Sequence, residues 1–323
     1  MSWPARHWGD RDAVALGLSP LAGLFCTAAR IRRAYQTSRP RSPLPVPVIV
    51  VGNIAVGGTG KTPLVVWLVR RLGEAGLRPG IVSRGYGGRP AREPRLVTAA
   101  SDPAQVGDEP VLLAARTGAP VAVAVDRSAA ARCLLARHGC DILISDDGLQ
   151  HYRLPRDLEI AVVDGARRLG NGLCLPAGPL REPASRLGEV DQVVVNGTPG
   201  TGELAMGVVG DTAVSLQDPQ TVRTLDRFAG QSVHAVAGIG NPSRFFELLQ
   251  DSGLRVVPHP LPDHHRFTAG DVDLPGTVLM TEKDAVKCRG MADGRHWYVP
   301  VDARPEPALE QALMTAVRSL HDG

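Results

Sequence analysis

A glycine-rich run that ends in lysine and threonine carries the clearest chemical signal in the sequence. It extends from Val56 to Thr62 and has the order Val-Gly-Gly-Thr-Gly-Lys-Thr. Glycines let backbone N–H groups turn towards an anion, and a compact lysine ammonium can reach between two phosphate groups. A threonine hydroxyl can bind Mg²⁺ beside those phosphates. The run therefore predicts a nucleoside triphosphate site, and the residues expected to form it are Gly57, Gly58, Thr59, Gly60, Lys61 and Thr62.

The segments on either side of this run support the same interpretation. Residues 46–51 form an apolar stretch of strand length, and residues 63–69 have a helical composition. A strand, a glycine-rich turn and a helix are the layout of a phosphate-binding loop. Ala55 stands where the common pattern has a further glycine, and the alternative is a turn that binds nothing. Only three of the 36 lysines and arginines are lysines. A lysine at position 61 in so arginine-rich a chain suggests a role that arginine fills poorly, which favours phosphate binding.

Short apolar segments and helical segments alternate after this run. Strands are predicted at residues 80–83, 121–125, 141–145, 158–164 and 192–196, and helices at residues 108–116 and 127–137. Strands that alternate with helices form parallel sheets covered on both faces. We therefore expect an α/β fold in which a P-loop parallel sheet has helices on both faces.

Charged side chains are predicted to gather at the carboxyl edge of that sheet, where open α/β sheets bind ligands. The edge collects Lys61, Arg84, Asp126, Asp146, Asp147 and Asp164. Asp146 and Asp147 follow an apolar strand, which is the position of an acid that holds Mg²⁺ directly or through water. The alternative is that the two aspartates cap the next turn.

Two more segments have residue types that suit chemistry. Residues 175–183 are too rich in proline for a helix or strand and predict a rigid loop that presents Arg181 and Glu182. The sequence Asp263-His264-His265 lacks a third soft ligand nearby, so an acid–base or orienting role is favoured over a metal site. The alternative for this segment is a solvated polar turn.

The chain is long enough for two domains with separate cores. Residues 197–229 are rich in Gly, Thr, Asp and Gln with weak periodicity, and further strand and helix patterns follow them. We therefore predict an N-terminal segment at residues 1–40, a P-loop nucleotide-binding domain at 41–215 and a smaller α/β domain at 216–323.

The N-terminal segment differs from the rest of the chain in charge and apolar content. Residues 13–29 carry no charge, and Trp3, Trp8 and Phe25 accompany them. Residues 1–41 hold seven arginines, which are Arg6, Arg11, Arg30, Arg32, Arg33, Arg39 and Arg41. Apolar and basic residues together are typical of a helix that lies on a membrane. A buried first helix remains the alternative.

Charge and cysteine content limit the possible classes of function. The net charge of +3 is too small to indicate a nucleic-acid partner. The five cysteines form no CxxC pair and no zinc spacing, which suits free thiols in a reducing cytosol.

The motifs, taken in order, resemble those of the tetraacyldisaccharide 4'-kinase family, the lipid A 4'-kinases of Gram-negative bacteria. The resemblance runs from about residue 14 to residue 290. The segments that carry it are Gly52-Asn53, Gly57 to Pro63, Ser83 to Gly87, Gly107 to Pro110, Asp126-Arg127, Asp146 to His151, Leu175 to Pro183, Gly238 to Pro242, Asp263 to His265 and Thr281 to Ala285. Ala55 is no departure, since this family does not keep the first P-loop glycine.

The resemblance implies two α/β/α domains with the nucleotide in the cleft between them. It implies an N-terminal helix on the cytoplasmic face of the bacterial inner membrane. The implied reaction uses ATP and Mg²⁺ to phosphorylate the 4'-hydroxyl of an acylated glucosamine disaccharide 1-phosphate, giving lipid IVA.

The resemblance also implies roles for individual residues. Lys61 and the loop amides would hold the β- and γ-phosphates. Magnesium would be held by Thr62 and Asp146, with Glu182 or Asp147.

A base and an anion-binding set are implied in the same way. Asp108 would accept the proton of the 4'-hydroxyl, with His264 or His265 as its partner. Residues expected to bind the transferring phosphate or an anionic group of the substrate are Arg84, Arg127 and Arg181.

Two competing functions remain possible from the sequence. One is a P-loop ATPase or kinase of a water-soluble substrate, whose first helix belongs to the core. The other is a binding protein in which the nucleotide acts as a switch.

Overall fold

Two β-sheets organise the computed structural model, which describes residues 7–40 and 42–322. The strands are β1 (Val48–Gly52), β2 (Pro79–Ser83), β3 (Arg95–Val97), β4 (Val121–Val123), β5 (Ile142–Asp146), β6 (Leu158–Asp164), β7 (Gln192–Asn196), β8 (Leu204–Val209), β9 (Thr212–Ser215), β10 (Val222–Thr224), β11 (Ser232–Ala237), β12 (Arg255–Pro260), β13 (Val278–Thr281), β14 (His296–Val299) and β15 (Asp302–Pro305). The helices are α1 (Ala13–Thr37), α2 (Lys61–Glu74), α3 (Pro103–Val106), α4 (Asp108–Thr117), α5 (Arg127–His138), α6 (Pro242–Asp251), α7 (Ala269–Val272), α8 (Glu282–Cys288) and α9 (Pro307–Asp322).

The larger sheet has nine strands in the order β15-β8-β7-β6-β1-β5-β2-β4-β3. All of its pairs are parallel except β15 with β8 and β3 with β4 at the two edges. Helices α2, α4 and α9 supply one apolar layer, and α5 packs into the layer on the opposite face. Strands buried on both faces explain the continuous apolar runs in the sequence. The predicted P-loop parallel sheet is confirmed.

The smaller sheet has six strands in the order β10-β9-β14-β13-β11-β12. Strands β11, β12, β13 and β14 run parallel to one another. Strand β9 pairs antiparallel with β14 and with β10. Helix α6 packs on one face, and α7 and α8 contribute to the core on the other. The predicted second, smaller α/β unit is therefore confirmed.

Residues 197–229, where the domain boundary is predicted, contain the strands β8, β9 and β10. Strand β8 belongs to the larger sheet and β9 to the smaller one, so the chain changes sheets between residues 209 and 212. Strand β15 then returns to the larger sheet, and α9 packs there. The domain division between residues 215 and 216 stays a prediction. The chain passes from the larger sheet to the smaller one between β8 and β9 and returns to the larger sheet at β15.

Helix α1 lies largely outside both cores. The Asp12 side chain caps it by accepting a hydrogen bond from the Ala15 amide at 2.8 Å. The helix is long enough and apolar enough to cross a membrane. Of its residues only Ala15 and Ala22 are buried. The alternative of a buried first helix is therefore wrong. Trp3 and Arg6 of the predicted N-terminal segment, and Arg41 directly after it, lie outside the described residues.

Candidate active site

The glycine-rich run joins the end of β1 to the start of α2. Gly60 has a φ of +95° directly before Lys61, and a Cβ there would come within 2.7 Å of the Asn196 amide nitrogen. Only glycine fits this position. No side chain caps α2, so the amides of its first turn are available to an anion. The local geometry is that of a phosphate-binding loop.

The proline-rich loop at residues 175–183 makes backbone contacts with the start of the phosphate-binding loop. Ala55 forms a β-bridge with Leu180, and the Val56 amide donates to the Pro179 carbonyl at 2.9 Å. The Arg181 amide donates to the Ile54 carbonyl at 2.7 Å. These backbone contacts place Arg181 and Glu182 beside the loop, on the wall of one cavity.

Lys61 and Asp147 form part of a charged cluster at the carboxyl edge. Lys61 Nζ lies 3.5 Å from Asp147 Oδ1, and Arg181 Nη1 lies 3.1 Å from Asp147 Oδ2. Burial alone would raise the pKa of Asp147, but Lys61, Arg181 and Arg127 outweigh it and hold this pKa far below the usual range. Asp147 is therefore a carboxylate that already has cationic partners.

Asp146 differs sharply from its neighbour. It is 1% exposed, and both of its carboxylate oxygens are buried without a hydrogen-bond partner. Burial, together with the charges of Glu109 and Asp147, raises its pKa to about 7 against the opposing effect of Lys61 and Arg127. Two buried oxygens without donors suit a divalent cation beside a phosphate group.

The other predicted magnesium ligands are placed less directly. Within residues 7–40 and 42–322, no three His, Cys, Asp or Glu side chains converge as a ready metal cage. Glu182 Oε2 accepts a hydrogen bond from the Tyr152 hydroxyl at 2.6 Å. Magnesium commonly uses one or two protein groups together with waters and phosphate oxygens. Asp146, with Thr62 in the first turn of α2, fits that pattern.

A buried carboxylate and an imidazole meet across the two units of the structure. Asp108 begins α4 and is 4% exposed, and its Oδ2 lies 3.1 Å from His264 Nδ1. His264 follows β12 and has a φ of +57°. His265 instead places Nε2 3.3 Å from Asp271 Oδ2. The two histidines that the sequence left as alternatives thus have different partners.

Lysines surround the Asp108–His264 pair. Lys283 Nζ lies 3.0 Å from Glu109 Oε1 and 3.5 Å from His264 Nε2, and Lys287 Nζ lies 3.7 Å from Asp108 Oδ2. Burial alone would raise the pKa of Asp108, but the hydrogen bond from His264 and the charges of Lys283 and Lys287 lower it. Asp108 is therefore ionised at neutral pH.

Neither Lys283 nor Lys287 is among the site residues predicted from the sequence. The rarity of lysine in this chain was the signal that could have found both residues.

The three predicted anion-binding arginines occupy different environments. Arg84 is exposed on the cavity wall. Arg127 is 6% exposed and donates to the Asp147 carbonyl at 2.8 Å, and its burial lowers its pKa to about 10. Arg181 is paired with Asp147. Arg84 is thus the most accessible of the three to an incoming anion.

One cavity of about 1050 Å³ is lined by several of these groups. Its wall includes the phosphate-binding loop, Asp147, Glu182 and His264. Phe25 and Arg32 of α1 also line it, so a mostly exposed apolar helix forms part of the rim. The cavity therefore combines charged side chains on its wall with an apolar helix surface at its rim.

Comparison with known proteins gives one consistent result. The family model for LpxK, tetraacyldisaccharide-1-P 4'-kinase, matches residues 14–318. Tetraacyldisaccharide 4'-kinase of Alkalilimnicola ehrlichii is 56% identical over 321 residues, which cover 96% of this chain and 95% of that protein. The protein of the same name from Nitrosococcus oceani is 52% identical over 301 residues, covering 92% and 89% of the two chains.

A solved structure agrees with these relatives. The crystal structure of LpxK from Aquifex aeolicus in complex with ATP has a TM-score of 0.78 and 26% identity, and the match covers 95% of this chain and 99% of that one. The resemblance seen in the motifs is confirmed across both units of the fold. The chain belongs to the tetraacyldisaccharide-1-P 4'-kinase family.

Proposed function

We propose that this chain transfers the γ-phosphate of ATP to the 4'-hydroxyl of tetraacyldisaccharide 1-phosphate, giving lipid IVA. The observation that carries the proposal is the cavity, whose wall includes the phosphate-binding loop, the His264 imidazole that pairs with buried Asp108, and part of the exposed apolar helix. A water-soluble acceptor would not need the helix. A nucleotide switch would not need the buried pair.

The loop residues supply the nucleotide site in this proposal. Gly57, Gly58, Thr59 and Gly60 direct amides at the phosphates, and Lys61 supplies a cation that follows the transferring group. The related protein crystallised with ATP supports this choice of nucleotide. Arg84 and Arg181, both on the cavity wall, would bind phosphate or the anionic group of the lipid.

Magnesium is the metal that these residues fit. Asp146 and Thr62 would hold it, with Glu182 as a further candidate ligand and Asp147 kept in place by Lys61 and Arg181. When bound, the ion would neutralise charge that develops on the phosphate oxygens.

Asp108 is the base in the proposed reaction. The 4'-hydroxyl oxygen forms the new bond to the γ-phosphorus as the bond to the β–γ bridging oxygen breaks, and the hydroxyl proton passes to the Asp108 carboxylate. The lowered pKa makes Asp108 a weak base, which suits a loose transition state that needs little early deprotonation. His264 orients the carboxylate through the hydrogen bond at 3.1 Å.

Helix α1 would place the active site at the membrane. Leu16, Leu21, Leu24 and Ile31 are each more than half exposed, and Arg32 lies on the cavity rim. Apolar side chains entering the lipid, with basic residues at the headgroups, stabilise such a helix on a bilayer. The proposed location is the cytoplasmic face of the bacterial inner membrane, where ATP is available.

Acceptor analogues test the proposal. Purified protein with ATP and Mg²⁺ should phosphorylate the tetraacyl disaccharide 1-phosphate in detergent micelles, and mass spectrometry should show one added phosphate. An otherwise identical acceptor with hydrogen in place of the 4'-hydroxyl should gain none. Equal phosphorylation of the two acceptors would refute the assignment of the 4'-hydroxyl.

A further inference from the structure

Tyr152 lies outside every predicted site, yet three arginines surround its ring. The guanidinium carbons of Arg156, Arg33 and Arg186 lie 5.0, 5.3 and 5.9 Å from the ring centroid. Tyr152 is 4% exposed, and Arg33 belongs to α1. Cations at these distances are attracted to the face of an aromatic ring. The ring is therefore held by side chains from three separate parts of the chain.

The hydroxyl of Tyr152 connects this cluster to the candidate active site. It donates to Glu182 Oε2 at 2.6 Å, and Arg186 Nε lies 3.5 Å from the same oxygen. Among the described residues, none hydrogen-bonds to the other oxygen, Oε1. Glu182 and Lys61 both line the cavity. One carboxylate oxygen is thus held from behind while the other is left for a ligand.

A buried ion cluster makes the support behind Glu182 stiff. Arg186 is 2% exposed and donates to both carboxylate oxygens of Glu159, at 2.6 and 2.7 Å. Arg156 donates to Glu159 Oε1 at 2.5 Å. Buried networks with paired charges restrict side chains to one arrangement.

The same cluster reaches the N-terminal helix. Arg33 of α1 contacts the Tyr152 ring and also pairs with Glu189, at the end of the short helical turn that contains Arg186. A change in how α1 sits on the protein would therefore alter the contacts around Tyr152.

We propose that Tyr152 is a positioning residue that holds the Glu182 carboxylate for a metal–nucleotide complex and connects it to helix α1 through Arg33. This inference rests on the proposed function only in assuming that a divalent cation accompanies ATP in the cavity. It gives the exposed helix a second role, in which its seating at a membrane affects the metal site as well as the location of the enzyme.

Binding of Mn²⁺ tests the inference without a lipid acceptor. Electron paramagnetic resonance of the full-length protein with ATP measures the dissociation constant of Mn²⁺ in wild type, Tyr152→Phe, Glu182→Gln and the double variant. Tyr152→Phe keeps the ring and removes the hydroxyl, and we expect the dissociation constant to rise about 10- to 100-fold. In the double variant the two changes should not add, because Tyr152 acts through Glu182.

Matched variants separate positioning from general damage. Arg33→Gln removes the contact with α1 and should raise the Mn²⁺ dissociation constant about two- to fivefold. Tyr35→Phe removes the hydroxyl of an exposed tyrosine on α1 and should leave it unchanged. Melting curves of all variants verify folding, and Arg33→Gln still tests the link if Tyr152→Phe does not fold.

Three results would overturn the inference. One is wild-type Mn²⁺ binding in Tyr152→Phe. Another is full additivity with Glu182→Gln, which would mean that Tyr152 acts independently. Wild-type binding in Arg33→Gln would remove the connection to α1. A failure to phosphorylate the lipid would refute the proposed function and leave these binding results unchanged.

Discussion

All three lysines of the chain lie at the candidate active site, although lysine supplies only three of its 36 basic residues. Lys61 is 3.5 Å from Asp147, Lys283 is 3.0 Å from Glu109, and Lys287 is 3.7 Å from Asp108. Lysine presents a compact charge that fits among carboxylates and phosphates, whereas a planar guanidinium needs more room. At the scale of single residues, the departure from the usual choice of arginine marks the site.

Asp108→Asn should separate chemistry from nucleotide binding. The change removes the proton acceptor with almost no change in volume, so kcat should fall about 10²- to 10⁴-fold. The dissociation constant of ATP should stay within about threefold of wild type, because Asp108 is not proposed to touch the nucleotide. Steady-state kinetics and calorimetric titration with ATP measure the two quantities. Matching losses in both would make Asp108 a structural residue.

His151 should make stability depend on pH. Burial and the neighbouring charge of Arg127 lower its pKa to about 4, with Asp126 opposing them. The unfolded chain binds the proton near pH 6.5, so the free energy of unfolding should decrease as pH falls from about 6.5 towards 4. For this half-buried group the total loss is at most about 3 kcal/mol.

Urea unfolding at pH 7.5 and pH 5 measures the contribution of His151. Carboxylates titrate in wild type and in His151→Gln alike, so the difference between the two proteins isolates the histidine. The variant should lose less stability than wild type on acidification. Equal losses would mean that His151 titrates normally in the folded protein.

Pairing between distant residues limited prediction at this scale. The phosphate-binding loop was identifiable because strand, loop and helix are contiguous in sequence. The choice between His264 and His265 could not be made from the sequence. It depends on the left-handed backbone of His264 and on its contact with Asp108, 156 positions away along the chain. Tyr152 and Arg186 gave no local signal, because their role arises only where α1, β6 and the proline-rich loop meet.

Helix α1 shows what composition leaves open at the scale of elements. An uncharged stretch suits both a buried core helix and an interfacial helix, and the choice depends on whether another element covers it. The structure leaves Leu16, Leu21 and Leu24 more than half exposed. Apolar exposure of this extent on one helix marks an interaction surface.

Polar substitutions on α1 should weaken membrane binding. Leu21→Ser combined with Leu24→Ser removes two exposed apolar side chains, and partitioning onto vesicles that contain anionic lipid should fall at least about tenfold. Val257→Ser alters an exposed apolar residue of β12 and serves as the control. Sedimentation with the vesicles gives the bound fraction. Unchanged partitioning of the double variant would contradict a membrane role for this face.

Strands at a sheet edge or next to one were harder to predict than central strands. Strand β6 was predicted with the bounds that the structure has, because a strand buried on both faces is a continuous apolar run. Strands β8 to β10 were missed. Strand β10 has three exposed residues, so it has no apolar pattern, and β9 is only four residues long.

At the scale of the whole molecule, ion pairs join the two sheets near the cavity. Arg116 of α4 pairs with Glu282 of α8 at 2.6 Å and also with Asp302 of β15. Burial raises the pKa of Glu282 despite the charge of Arg116. Because the chain crosses to the smaller sheet and returns at β15, these contacts hold the Asp108 and His264 sides of the cavity together. Helix α4 thus contacts α8 and β15, which lie far from it in the sequence.

Arg116→Ala should destabilise the protein strongly. It leaves Glu282, whose side chain is 13% exposed, without its counter-charge, and such losses cost about 3–5 kcal/mol. Arg70→Ala is the matched control, because Arg70 pairs with Asp302 at a site where both side chains are about half exposed. That change should cost no more than about 1 kcal/mol. Urea unfolding measures both, and equal effects would contradict a structural role for the buried pair.

The central claim is that one cavity moves phosphate from ATP to a lipid. Its most direct measurement is transfer of label from γ-³²P-ATP to the tetraacyl disaccharide 1-phosphate in detergent micelles, with wild type beside Lys61→Ala. We expect labelled lipid from wild type and a rate about 10²- to 10³-fold lower from the variant, which lacks a preorganised cation at the phosphates. No labelled lipid from a wild type that still binds ATP would contradict the account and favour a soluble substrate or a nucleotide switch.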